Sequence, residues 1–215
     1  MSTNNYYEKY WNSQKSHDGH AAGVPNWPIA ELDMFYRSIS HFVGKKVLDV
    51  GSGEGIFLNY LITKKKLHKA VGLELSTIAI EKAKKINSKI EYVCGSADDD
   101  YPFDKNSFDT VFLTDVIEHL VDIDKTISEI KRILKPNGNV IIITPDFNFL
   151  KRIIIAAFFW DRFFYPSNPH IRFFTRKSMD HIMKVNLFNR IYYRWGITWF
   201  NLMPQNSYFV YKNNK

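Results

Sequence analysis

A chain of 215 residues, 45% hydrophobic and 24% charged, is long enough for one α/β domain, and so ordinary a composition excludes intrinsic disorder. The single cysteine, Cys94, excludes an internal disulfide and a thiolate metal cluster. The net charge of +7 is unevenly placed: residues 143–215 hold 11 Lys and Arg against 3 Asp and Glu, together with 19 aromatic residues, while the preceding residues are close to neutral.

Met1–Asn12 is polar and aromatic without an apolar run, so it does not read as a secretory signal. The longest apolar run, Ile153–Trp160, falls far short of the roughly 20 residues that cross a bilayer. A cytoplasmic protein is expected. Residues 1–28 mix Tyr and Trp with His, Gly and Pro and read as an arm followed by a loop. Ile29–Phe42 has helical spacing and stops at Gly44. The pattern then alternates. Lys46–Val50 reads as a buried strand and Ile56–Lys66 as a helix; Ala70–Glu74 follows as a strand, and Ser76–Ile86 as a helix with Ser76 as N-cap. Ile90–Cys94 and Phe108–Leu113 are strands. Ile123–Leu134 is a helix that Lys135-Pro136-Asn137-Gly138 should stop and turn, and Asn139–Thr144 is a strand apolar on both faces. Beyond Pro145, Phe147–Phe164 is apolar and aromatic with basic punctuation. Thr175–Val185 reads as a helix, and Ile191–Tyr193 with Tyr208–Tyr211 as a closing β pair.

Strands alternating with helices predict an α/β fold, a parallel sheet doubly wound on both faces. Right-handed crossovers then gather the strand-to-helix loops on one edge, where ligands bind at the point of strand-order reversal.

The strongest motif is Val47-Leu48-Asp49-Val50-Gly51-Ser52-Gly53-Glu54-Gly55. A buried strand entering a glycine turn and a helix lets a ligand approach backbone N–H groups closely. The dinucleotide fingerprint needs G-x-G-x-x-G, and here the third glycine comes one residue early. Asp49 would repel a pyrophosphate and suits a ligand carrying an ammonium. Glu74, ending the second strand, can accept both hydroxyls of a ribose. Gly95-Ser96-Ala97-Asp98, after the third strand, can meet the exocyclic amine of an adenine.

These residues, with Phe108–Leu120 and Leu134–Gly138, resemble the landmarks of the class I S-adenosylmethionine-dependent methyltransferases over about residues 45–145. The resemblance implies a mostly parallel seven-stranded Rossmann-like sheet in a single domain of residues 1–215. Residues 1–43 would form an N-terminal helical arm, 44–145 the cofactor-binding core, and 146–215 a substrate-side aromatic lid with closing strands. It implies S-adenosylmethionine as cofactor, with Asp49 and Gly51 near its amino-acid part, Gly53 and Gly55 allowing close approach, Glu74 on the ribose, Leu75 on the adenine and Asp98 on its amino group. Ser52, Ala97 and the backbone of Thr114 complete the set.

Asp115, Glu118 and His119 would share a face if a helix starts there, and His170 follows in a loop that could return over the same edge. The spacing is similar to that of ubiquinone-pathway O-methyltransferases and small-RNA 2′-O-methyltransferases, where such a set holds a divalent metal; Asp115 departs from the glutamate of those families. Three readings stay open: His119 and His170 as catalytic groups with a general base, a metal site, or plain structural hydrogen bonding. Phe147–Phe174 is a lid, a membrane-surface segment or core. The arm around Tyr6, Tyr7, Trp11 and Trp27 closes over the cofactor or packs on the Ile29–Phe42 helix. The acceptor is expected to be a small or lipid-linked oxygen nucleophile such as a phenol, sugar or carboxylate, and the basic final third would favour an acidic one. An RNA ribose methyltransferase and a catalytically silent cofactor-binding protein are the alternatives. The Asn/Asp-Pro-Pro-aromatic motif of base-amine methylation is missing at Thr114-Asp115-Val116-Ile117, which leaves ribose methylation open.

Overall fold

The computed structural model describes residues 3–12, 28–165, 169–196, 198–199, 203–204 and 206–215; Trp27 of the aromatic arm lies outside them. A seven-stranded sheet is ordered β3-β2-β1-β4-β5-β9-β6. Strands β1 (Lys46–Val50), β2 (Lys69–Glu74), β3 (Glu91–Cys94), β4 (Phe108–Thr114) and β5 (Leu134–Pro145) are parallel. The last two, β6 (Phe188–Trp195) and β9 (Asn206–Asn213), close the sheet with antiparallel pairing, and two short strands, β7 (Thr198–Trp199) and β8 (Met203–Pro204), pair between them. Order reverses between β1 and β4, so the carboxyl ends of these two strands flank a crevice.

Helices α1 (Thr3–Asn12), α2 (Ile29–Ile39), α3 (Ile56–Lys64), α4 (Thr77–Ile86), α5 (Ile123–Ile133), α6 (Phe149–Phe158), α7 (Trp160–Phe163) and α8 (Arg176–Val185) complete the framework. The caps follow local chemistry. Ser76 accepts from the Ala79 N–H at the start of α4, Asp122 from Lys125 at α5, and Thr175 and Ser178 form a reciprocal box at α8.

The sheet is covered on both faces because its central strands alternate apolar side chains between two cores. On β5, Val140 and Ile142 join Ile127, Ile130 and Met179 on one side, while Ile141 and Ile143 join Leu32, Phe35 and Leu58 on the other. Each such isoleucine is worth about 1.5–3 kcal/mol of burial.

The Pro136–Gly138 stretch behaves differently from its expected role as a helix stop. Helix α5 already ends at Ile133, and β5 begins at Leu134, which pairs with Phe108. Pairing resumes with Asn139 opposite Thr110, so residues 135–138 are an irregularity inside the strand, with Asn137 at φ 61°. A proline with no N–H to donate is tolerated where the ladder is already interrupted.

Candidate functional site

The glycine loop follows β1 directly. Gly51, Gly53 and Gly55 have φ of 71°, 52° and 70°, the left-handed region that side chains strain to adopt. Gly51 N donates to Leu73 O at 2.7 Å, binding the loop to the end of β2. A Cβ on Gly51 would collide with Val116, and one on Gly53 would sit 2.8 Å from the Trp11 ring. Above the loop lies a cavity of about 470 Å³, with Asp49, Gly51, Ser52 and Gly53 in its floor. Gly55 stands outside that lining; it caps α3, and a Cβ there would strike the Tyr92 hydroxyl. The Ser52 hydroxyl lies against Gly72, where an added Cβ would come within 2.4 Å of it.

Glu74 adjoins the loop. Its Oε2 accepts from Gly53 N at 2.9 Å and its Oε1 from Ser76 N at 2.9 Å, so the carboxylate is held in one orientation with lone pairs to spare. Burial pushes its carboxyl above the ordinary value, opposed by the N–H donors of Ser76 and Gly53. Asp49 is fully buried, and burial, then the neighbouring Glu74, hold its carboxyl well above the usual range. Its Oδ1 is one of the buried polar atoms with no hydrogen-bond partner among the described residues. A buried carboxylate oxygen without a donor, beside a cradle of missing side chains, fits the cationic ammonium of S-adenosylmethionine.

Leu75, Ala97 and Asp98 line the next part of the cavity. Asp98 also ties the third loop to the entry of α5, because its Oδ1 accepts from Asp122 N at 2.9 Å and its Oδ2 from Val121 N at 3.3 Å.

The described part of the aromatic arm, α1, lies against the cavity. Tyr6, Tyr7, Tyr10 and Trp11 of α1 all face the cavity. Lys82 reaches up from α4 to donate to Trp11 O at 2.9 Å while pairing with Glu54 at 2.9 Å. Sequence reasoning missed Glu8, whose carboxylate accepts from Thr77 N, Thr77 Oγ1 and Ser76 Oγ at 2.9, 2.9 and 3.0 Å. The signal was faint: Ser76 opens a helix whose free N–H groups attract an anion, but nothing local says that residue 8 supplies it.

At the other end, Thr114, Asp115, Glu118, His119, Pro169 and His170 line the same cavity. The expected shared helical face is not formed. Asp115 takes φ 51°, and the chain makes only a 3-10 turn over Ile117–His119. Ligand atoms of Glu118, His119 and His170 nonetheless lie within 4.8 Å of one another, a cluster that leaves Asp115 out. The reason is tertiary: Ile171 N and Arg172 N both donate to Glu118 O, and the Arg172 side chain donates to Leu120 O and Val121 O, bringing the loop of His170 down on the turn. The two imidazoles meet edge to face with centroids 4.7 Å apart.

Glu118 accepts from the Thr144 hydroxyl at 3.2 Å through Oε2, and its Oε1 is buried with no partner among the described residues. Burial, then Asp115, raise its carboxyl well above the ordinary value. Burial lowers the pKa of His119, partly offset by the Pro169 carbonyl 2.9 Å from its Nδ1.

A family described as a methyltransferase domain matches residues 30–189. Glycine/sarcosine/dimethylglycine N-methyltransferase of Actinopolyspora halophila is 29% identical over 154 residues, 66% of this chain and 26% of that protein. The mitochondrial ubiquinone biosynthesis O-methyltransferase of Schizosaccharomyces pombe is 30% identical over 127 residues, 55% of this chain and 44% of that protein. The chain thus spans about a quarter to a half of the length of the curated relatives it matches. Geranyl diphosphate C-methyltransferase of Streptomyces coelicolor A3(2), solved with Mg2+, geranyl diphosphate and S-adenosyl-L-homocysteine, has the same fold, with a TM-score of 0.68 at 13% identity over 99% of this chain and 98% of that one. With the glycine loop, the buried acidic pair and the strand order all in agreement, this chain belongs to the methyltransferase-domain family, within the class I S-adenosylmethionine-dependent superfamily.

Proposed function

We propose that the chain methylates an oxygen nucleophile on a small or lipid-linked acceptor, with His119 as the general base. When bound, S-adenosylmethionine supplies an electrophilic methyl on a positively charged sulfur. The residues of this chain have to hold the acceptor in line, take its proton and keep water out.

The observation that carries this reading is the 2.9 Å contact between His119 Nδ1 and the Pro169 carbonyl. A carbonyl can only accept, so Nδ1 carries the proton and Nε2 is left as the basic nitrogen. Burial disfavours the imidazolium, so the ring is neutral at pH 7 and ready to accept a proton. Asp49, Gly51, Gly53, Glu74, Leu75, Ala97, Asp98 and Thr114 are the residues proposed to hold the cofactor, through the orphaned Asp49 oxygen, the open glycine floor and the free lone pairs of Glu74. Relatives named as ubiquinone biosynthesis O-methyltransferases recur, and one from Mycobacterium leprae is named for phthiotriol and phenolphthiotriol dimycocerosates. Both kinds of name support an apolar acceptor bearing a hydroxyl.

A second reading has a divalent metal held by Glu118, His119 and His170, favoured by their proximity and by the unpartnered Glu118 Oε1. Such an ion would ionise the acceptor hydroxyl as a Lewis acid. The basic final third would also suit a ribose hydroxyl on RNA.

The test is a screen of phenols, sugars, lipids and RNA with methyl-labelled cofactor, followed by His119→Asn on the acceptor found. A fall in kcat of about 100-fold or more with unchanged cofactor affinity is expected. Full activity in the variant overturns the base; loss of activity in chelator, with recovery on adding a divalent ion, selects the metal reading.

A further inference from the structure

Helix α6 is apolar except for Lys151 and Arg152, yet of its residues only Ile155 is buried. Phe149 and Ile153, four residues apart and turned away from Ile155, are 71% and 49% exposed. The apolar surface continues through the end of α6 into α7, where Phe158 is 78% and Trp160 56% exposed and Trp160 packs against Phe164 with centroids 4.3 Å apart. A globular domain seldom leaves so many large apolar groups together in water without a partner for them.

The charge in the sequence around this surface is mostly positive. Residues 147–177 contain six Lys and Arg and one acidic residue, Asp161. Arg152 is exposed, with its guanidinium carbon 6.0 Å from the Phe149 centroid, and Arg176 and Lys177 are exposed at the start of α8. Each candidate occupant makes a different demand on such a surface. A second copy of the chain, docked about a two-fold axis, would set these cations against themselves. A nucleic acid would use the cations and aromatic rings, but has no use for Leu150, Ile153, Ala156 and Ala157. An anionic lipid surface uses everything present: aliphatic and aromatic groups enter the acyl boundary, and the cations meet headgroup phosphates.

We propose that the exposed face of α6 and α7 docks on an anionic lipid surface. Among the described residues no helix is long and apolar enough to cross a membrane, so the segment lies in the interfacial plane. The surface is joined to the acceptor end of the cavity. Pro145 lines that cavity and leads through Phe147 into α6; the Phe147 ring meets Phe173 at 4.8 Å, three residues beyond His170. An acceptor dissolved in the lipid would therefore arrive from the side on which His119 and His170 stand. The docking itself is independent of which atom is methylated.

The test uses the full chain with vesicles of phosphatidylcholine, alone or with about 30% phosphatidylglycerol. Co-sedimentation with the anionic vesicles is expected at low salt, with loss on raising salt and little binding to phosphatidylcholine alone. The double variant Phe158→Ser, Trp160→Ser should weaken partitioning by about ten-fold or more, and Arg152→Glu by a smaller factor. Cofactor-dependent thermal stabilisation should be the same in all variants, which separates lost docking from lost folding and from failure of the methyl-transfer reading. Three results overturn the proposal: no sedimentation with anionic vesicles at low salt, equal sedimentation of the double variant, or a concentration-dependent dimer that Trp160→Ser abolishes.

Discussion

The Glu8 carboxylate caps helix α4 from another helix, accepting both the backbone N–H and the hydroxyl of Thr77 at 2.9 Å. This contact latches the arm over the cavity, because Tyr7 and Trp11, on either side of Glu8, both line it.

Removing the latch with Glu8→Ala should raise the cofactor dissociation constant by about 2- to 30-fold, the equivalent of the roughly 0.5–2 kcal/mol that a helix cap is worth. Burial works against the charged form of Glu8, but the donors of Thr77, Ser76 and Ile78 outweigh it and lower the carboxyl below its ordinary value. A lowered carboxyl stabilises the folded arm above the unfolded value of about 4.3, and this contribution fades as pH falls through the folded value. Titration calorimetry at neutral pH, repeated at acid pH, is the check. Equal affinities for wild type and variant would mean that the arm does not grip the ligand.

Asp49 should show the opposite balance between stability and binding. Its folded carboxyl is raised, so the ligand-free protein loses stability as pH climbs from the unfolded value of about 3.9 to the folded one, and that loss persists at neutral pH. Asp49→Asn should leave the ligand-free melting temperature unchanged or higher. It should also weaken cofactor binding about ten-fold or more, as expected for a lost hydrogen bond to a charged group. Melting curves with and without ligand measure both effects, and a destabilised variant of normal affinity would contradict the assignment.

Gly51→Val places a β-branched residue at φ 71° and drives its Cβ into Val116. The left-handed conformation alone costs about 1–2 kcal/mol. The expected outcome is a folded protein by circular dichroism whose melting temperature no longer responds to S-adenosylhomocysteine, with Gly51→Ala intermediate. A wild-type response in Gly51→Val would move the cofactor away from this loop.

Much of the glycine-loop end of the cavity was legible in the sequence because its determinants are local. Strand β1 occupies the expected Lys46–Val50, and Ser76 caps α4 through its own side chain. The end of the cavity around Glu118, His119 and His170 was less so. A helix starting at Asp115 is what spacing suggests; the chain instead makes a 3-10 turn because Thr144 from β5 and the backbone of Ile171 and Arg172 claim Glu118. Those partners are 26 or more residues away, and no window of sequence contains them. Residues 135–138 depart from their expected role for a related reason: Leu134 is drawn into β5 by Phe108 across the sheet, against the local tendency of Pro136 and Gly138 to end an element.

By itself the sequence determined the alternating elements, the glycine cradle and the acidic pair Asp49 and Glu74, since hydrophobic period, φ preference and charge belong to single residues and their near neighbours. Only the tertiary structure decided that the arm lines the cavity above the glycine loop, that Asp115 stands outside the Glu118–His119–His170 cluster, and that α6 leaves apolar side chains facing outward. Burial and proximity depend on which surfaces meet. An apolar helix reads the same in sequence whether a core or the solvent lies against it.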